Sequence, residues 1–276
     1  MILFLLVVAG ISLFVAEYIF GEASISIYIL MMALSYVIFS YYSAGKMALA
    51  LNGAQEVDEK TAPRLYRTVE NLAITNGMPM PKVYVIPDQA LNAFATGRDP
   101  DHAMVAATEG LIKTMTDTEL EGVMAHELGH VKNYDIRVSM IAFALVTVIA
   151  ILSDILFRSM IFGGNRKEGG GYMQIVAIAI WLLAPISAVL LQAAISRKRE
   201  YLADATGALT TRYPEGLASA LEKIQKHGSV TQKQNTSTAH LFFANPLKGE
   251  SFTKMFSTHP PIEDRIKKLK DMGRKA

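Results

Sequence analysis

Four long apolar runs divide this chain. Met1–Phe20 carries one charge, Glu17; Ser24–Tyr42 carries none; Val138–Phe157 carries Asp154; Tyr172–Ile195 carries none but contains Pro185. At 1.5 Å of rise per residue, each is about long enough to cross the ~30 Å of hydrocarbon in a bilayer. The first pair, adjacent and nearly uncharged, predicts two transmembrane helices over residues 1–42. For the second pair, over residues 138–195, three readings stay open: two further spans, a membrane-dipping hairpin, or buried core helices. No Lys or Arg precedes the first run and a second run follows at once, which predicts an anchor rather than a cleaved leader.

Two polar segments remain, residues 43–137 and 196–276, and they predict one catalytic unit made from two parts of the chain. Lys82–Ile86 and His102–Ala107 read as short strands, with Leu91–Thr96 between them as a candidate third. Pro87-Asp88 and Arg98-Asp99-Pro100 supply the turns. Thr116 and Glu119 form a capping-box pattern, in which hydroxyl and carboxylate satisfy the free backbone N–H groups at a helix start. Glu263–Ala276, rich in Lys, reads most simply as a solvated surface helix. The expected class is α+β, mostly helical, with a small sheet and about four transmembrane helices.

Composition adds two exclusions. Charged residues make up 19% of the chain, below the ~25% usual for soluble domains, and hydrophobic residues 51%. A net charge of +2 gives no reason to expect a nucleic-acid partner. The chain has no cysteine, so any transition metal must be held by His, Asp or Glu.

The candidate chemistry lies in the helix after the capping box. His126-Glu127-Leu128-Gly129-His130 is H-E-x-x-H, and residues i and i+4 share one helix face, so both imidazoles can hold one zinc ion. Glu127, beside the first ligand, is placed to take the proton of an attacking water. A catalytic zinc needs three protein ligands and one open position. Glu200 supplies the third, and Asp204, four residues on, can hold a ligand imidazole in the right tautomer. Without the H-E-x-x-H, the same pair reads as a carboxylate pair on a helix surface.

These motifs carry a specific resemblance. HELGH, REYLAD, NAFATG (Asn92–Gly97) and STHPPIEDRI (Ser257–Ile266) occur in the order seen in the HtpX family of membrane zinc metallopeptidases. The resemblance covers essentially the whole chain. It implies a gluzincin-type fold, one Zn2+ per chain, and an endopeptidase of the cytoplasmic membrane acting on damaged or misfolded membrane proteins. It assigns His126, His130 and Glu200 as zinc ligands, Glu127 as catalytic acid/base, and Asp204 as the partner of His126. It also implies that Asn92, Ala93, Phe94 and Ala95 form an edge strand beside the zinc, where an extended peptide adds by main-chain hydrogen bonds. CAAX prenyl proteases share H-E-x-x-H and the Glu-x-x-x-Asp pair, but carry more spans than this chain has room for. The rival function is a dedicated processing protease; a metal-binding membrane protein without activity is the third.

A second donor to the attacked carbonyl oxygen is sought in His259, on the rigid turn Thr258-His259-Pro260-Pro261. Three readings of it stay open: donor, inhibitory fifth ligand, or packing residue. Tyr201 is a weaker candidate, and Arg265 reads as pairing with a carboxylate to order its helix. His102, His227 and His240 have no partner at ligand spacing and read as structural or surface residues. Lys and Arg flanking the spans on the catalytic side predict a cytoplasmic catalytic unit, against a minority in the second loop at Arg158, Arg166 and Lys167.

Overall fold

The alternation in Lys82–Ile86 is realised as a strand with those bounds, and it sits inside a four-stranded sheet. The computed structural model describes residues 9–10, 12–17, 22–141, 151, 154–155, 157–158, 178, 198–232, 241–244 and 260–274. The chain divides into two compact units, one of residues 1–42 with 141–192 and one of residues 43–140 with 193–276. In the first, the long helix α1 (Ser26–Leu51) begins. Its residues Ile27, Tyr28, Met31, Met32, Ile38, Phe39 and Tyr42 are large, apolar and exposed. Among the described residues no single helix is long and apolar enough to cross a membrane. Ala23–Tyr36 and Tyr41–Leu51, bent by 59°, pass that test together, by length and composition. Most of the expected spans over 138–195 and over 1–20 falls outside the described residues.

In the second unit the strands are β1 (Gln55–Val57), β2 (Lys82–Ile86), β3 (Ala93–Thr96) and β4 (Met104–Thr108). Their order is β1-β2-β4-β3, so β3 lies at an edge. β2 and β4 run parallel, pairing Lys82 with Met104 and Ile86 with Thr108; the outer pairs are antiparallel. The expected strand at His102–Ala107 starts later, because Pro100–His102 forms a 3-10 turn capped by Asp99, whose side chain accepts from the His102 N–H. β1 was not expected. It is three residues long and its exposed Glu56 accepts from Lys82 Nζ at 2.9 Å and Tyr84 Oη at 3.0 Å.

One face of the sheet packs against helices α2 (Pro63–Asn76), α4 (Asp117–Lys132) and α7 (Pro214–His227). Leu65, Val69 and Leu72, spaced 4 and 3 apart, put the apolar stripe of α2 into this core. α3 (Glu109–Thr114) follows β4, and a helical stretch α5 (135–141) follows α4. The remaining helices are α6 (198–211) and α8 (Ile262–Gly273). α8 departs from the expected surface helix. Its Arg265 and Leu269 are fully buried, because Ile262, Ile266 and Leu269 share a face turned to the core while the Lys residues cover the other.

α4 is buried nearly all round, and its start is held by the expected capping box. Thr116 caps, and the Glu119 carboxylate accepts from the Thr116 N–H at 2.7 Å. The same carboxylate accepts from Ser219 Oγ at 2.7 Å and Lys223 Nζ at 2.6 Å, joining α4 to α7. Burial alone would raise the Glu119 carboxyl, but these bonds outweigh it and hold it at about 2. A folded pKa below the unfolded value of roughly 4.3 stabilises the protein above that pH, and the contribution fades as pH falls towards 2. Glu119→Gln should therefore cost roughly 2 kcal/mol at pH 7 and flatten the fall in stability between pH 5 and about 2, read by chemical denaturation across that range.

Candidate metal centre and catalytic cleft

Two helices crossing closely make the site. At Gly129 of α4 an added Cβ would lie 3.2 Å from the Ala203 carbonyl oxygen of α6; at Gly207 of α6 it would lie 3.1 Å from the His126 backbone nitrogen. With no side chain at either position, the helices approach near backbone contact. Glu200 of α6 then lies over the His126/His130 face of α4. His126 Nε2 and His130 Nε2 are 3.1 Å apart, His130 Nε2 and Glu200 Oε1 3.3 Å, and His126 Nε2 and Glu200 Oε2 3.7 Å. All three donors lie within 4.8 Å of one another.

These spacings test the fit of a metal. Bonds of ~2.0–2.1 Å in a tetrahedron put ligand atoms roughly 3.3–3.4 Å apart. The observed 3.1, 3.3 and 3.7 Å bracket that value, so His126, His130 and Glu200 fit one small divalent cation. Both outer ring nitrogens are committed elsewhere: His126 Nδ1 to Asp204 Oδ1 at 2.9 Å, and His130 Nδ1 to Asp135 Oδ2 at 3.0 Å. Each imidazole therefore presents Nε2 inward, and two lone pairs at 3.1 Å need a cation or a proton between them.

The carboxylates are anchored in turn. Arg265, with no solvent exposure, donates from Nε to Asp204 Oδ2 at 2.9 Å and from Nη2 to Asp204 Oδ1 at 2.7 Å, and its Nη1 lies 3.6 Å from Glu200 Oε2. Burial raises the Asp204 carboxyl, but the Arg265 charge and the His126 bond bring it to about 2. The imidazoles are driven apart. Burial holds His126 down at about 4, against the pull of Asp204. His130 is also lowered by burial, but its bonds to Asp135 and Glu200 prevail and raise it to about 10.

Beside the ligands a cleft is lined by Glu127, His130, Glu200, Asp135, Arg199, Ala95 and residues 241–243. Glu127, adjacent to His126 and 2% exposed in its helix, opens on this cleft, as the motif requires of a base. Asn92, Ala93, Phe94 and Ala95 are all buried on or beside edge strand β3, and Ala95 reaches the cleft. Tyr201 does not line it; Lys268 Nζ sits 3.3 Å above its ring. His259 and His240 lie outside the described residues, while His102 and His227 are bonded locally, to Asp99 and to the Lys223 carbonyl oxygen. The sequence reading missed Asp135 and Arg199, the latter 3.6 Å from Asp135. Asp135 follows His130 by five residues and returns to it because Tyr134 takes a positive φ of 60° at the end of α4.

A two-histidine, one-glutamate group on an H-E-x-x-H helix, with a carboxylate beside it in a cleft at a sheet edge, defines a metallopeptidase. The profile of Peptidase family M48 matches residues 59–273, and the chain belongs to that family. A protease HtpX homolog of Tropheryma whipplei (strain Twist) is 52% identical over 98% of this chain and 92% of its own length. One from Persephonella marina is 42% identical over 99% and 96%. Among solved structures, Ste24p of S. mikatae has a like fold, with a TM-score of 0.56 at 20% identity; the likeness covers 95% of this chain and 62% of that one.

Metal binding must displace the proton that Asp135 and Glu200 favour on His130, so affinity should rise with pH, by up to about tenfold per unit. Asp135→Asn should make that rise shallower and weaken affinity at high pH by about 10–100-fold. Chelator competition at a series of pH values measures both.

Proposed function

We propose that this chain is a gluzincin-type zinc endopeptidase of the cytoplasmic membrane, cleaving damaged or misfolded membrane proteins at the cytoplasmic face. The observation that carries the reading is the His126/His130/Glu200 group with Glu127 beside it in the cleft. Two nitrogens and one carboxylate oxygen suit zinc. When bound, zinc supplies Lewis acidity, lowering the pKa of water and polarising the peptide carbonyl. Glu127 takes the proton of the attacking water as the new C–O bond forms, then hands it to the amide nitrogen, and the C–N bond breaks to release the amine. Asp204 and Asp135 hold the imidazoles in the Nδ1–H tautomer. Asn92–Ala95 receive the peptide as an added strand, whose main-chain bonds are blind to side chains and permit broad specificity. His259 is assigned as second donor to the carbonyl oxygen, next to the buried Pro260.

The exposed apolar side chains of α1 support the membrane, since water is a poor neighbour for Ile27, Met31, Ile38 and Phe39 together. Glu127→Gln should keep stoichiometric zinc and lose chelator-sensitive casein cleavage, while Glu200→Ala should lose both; wild-type rates in the first or full zinc in the second would end the assignment. A profile of cleavage sites separates the roles: scattered sites mark quality control, a single consensus a processing enzyme. Reporters fused after Ala276 should be active only in their cytoplasmic form, and a reporter within Gly163–Gly171 decides whether residues 138–195 cross the membrane.

A further inference from the structure

The edge of β3 is covered at Ala93 by this chain itself. Phe243 donates its N–H to the Ala93 carbonyl oxygen at 2.8 Å. The carboxamide of Asn92 grips the next residue twice, donating to the Ala244 carbonyl oxygen at 2.8 Å and accepting from the Ala244 N–H at 3.1 Å. The segment is a tight 3-10 turn and bends rather than a strand, held to the β3 edge at Ala93 and by the Asn92 side chain, and Leu241 and Ala95 both line the cleft. Its two phenylalanines point in different directions. Phe242 turns to Phe94, ring centres 5.0 Å apart. Phe243 turns the other way and is buried with its ring 4.9 Å from that of His126 and 4.8 Å from the Arg265 guanidinium carbon.

We infer that residues 241–244 are a pseudosubstrate: they take the edge carbonyl of Ala93 and the carboxamide of Asn92 that a substrate's backbone would use, Phe243 fills the side-chain subsite beside the metal ligands, and a peptide must displace them. This rests on the peptidase reading and adds to it a preference, for a large apolar residue in that subsite. Two magnitudes support displacement over addition. With the segment in place the cleft holds about 40 Å³, enough for water and far short of the ~300–1,000 Å³ of a ligand pocket. A substrate laid outside the segment would sit one strand further out, ~4.8 Å, whereas a general base must come within about 3 Å of the group it serves. The grip on Ala244 is made entirely to main-chain atoms, so it serves any extended peptide equally.

The test uses the zinc-loaded full chain in detergent micelles, with a peptide hydroxamate carrying one phenylalanine as probe. Backbone amide exchange at Phe243 and Ala244 should quicken when the probe binds; exchange unchanged or slowed by saturating probe overturns the proposal. In parallel, Phe243→Ala and the milder Phe243→Leu should lower KM for a phenylalanine-bearing peptide, by about tenfold for Ala, because less of the enzyme is self-occupied. The wild type should cleave that peptide in preference to an aspartate-bearing one. KM raised in both variants, with zinc content and melting temperature reduced, shows a purely structural segment and overturns the proposal. A wild type without chelator-sensitive cleavage overturns the peptidase reading itself, a result separate from these.

Discussion

A guanidinium with no solvent exposure sits at the centre of this molecule, and its neutralisation organises the rest. Burying an ion costs several kcal/mol unless good geometry returns it, and Arg265 meets that condition by gripping Asp204 through two nitrogens at 2.9 and 2.7 Å. Asp204 in turn accepts from His126, and Glu200, one turn earlier on α6, faces the third guanidinium nitrogen at 3.6 Å. One buried cation thus ties α8 to α6 and α6 to α4. It also keeps the Asp204 carboxylate ionised in a buried site where it would otherwise favour its neutral form.

The glycines decide how near the helices come. Gly129 and Gly207 lie on facing helices, and a methyl at either would press on backbone, which cannot yield as a side-chain tip can. A crossing even an ångström wider would spoil ligand spacings that bracket the tetrahedral value. The capping box acts on the same helix from its other end, through Glu119 and its bonds to α7. α4 is therefore clamped along its length, which suits a helix that must hold two imidazoles and a base in fixed rotamers.

Occupancy of the β3 edge by residues 241–244 also meets a general hazard. An open sheet edge beside a hydrolytic centre invites strands at random, and an edge covered by the enzyme's own chain admits only a peptide able to compete. In the proposed mode of binding, main-chain recognition and restraint draw on the same few hydrogen bonds.

What the sequence alone determined is what repeats over short distances. The i, i+4 spacing of His126 and His130, the Thr116–Glu119 box and the alternation of Lys82–Ile86 are local patterns; the elements read from them stand in the structure, and His126 and His130 come together with Glu200 in a group that could hold a metal. Glu200 was legible as a candidate because a metal on an H-E-x-x-H helix asks for a third donor and Asp204 stood four residues beyond it. Tertiary structure alone decided the rest. Asp135 reaches His130 only because the chain reverses at Tyr134; Arg265 is buried though its helix reads as polar; and Ala244 meets Asn92 across 152 positions of sequence. Such pairings obey no period: they depend on which surfaces the folded core brings together, and on how much buried charge and unpaired backbone each meeting relieves.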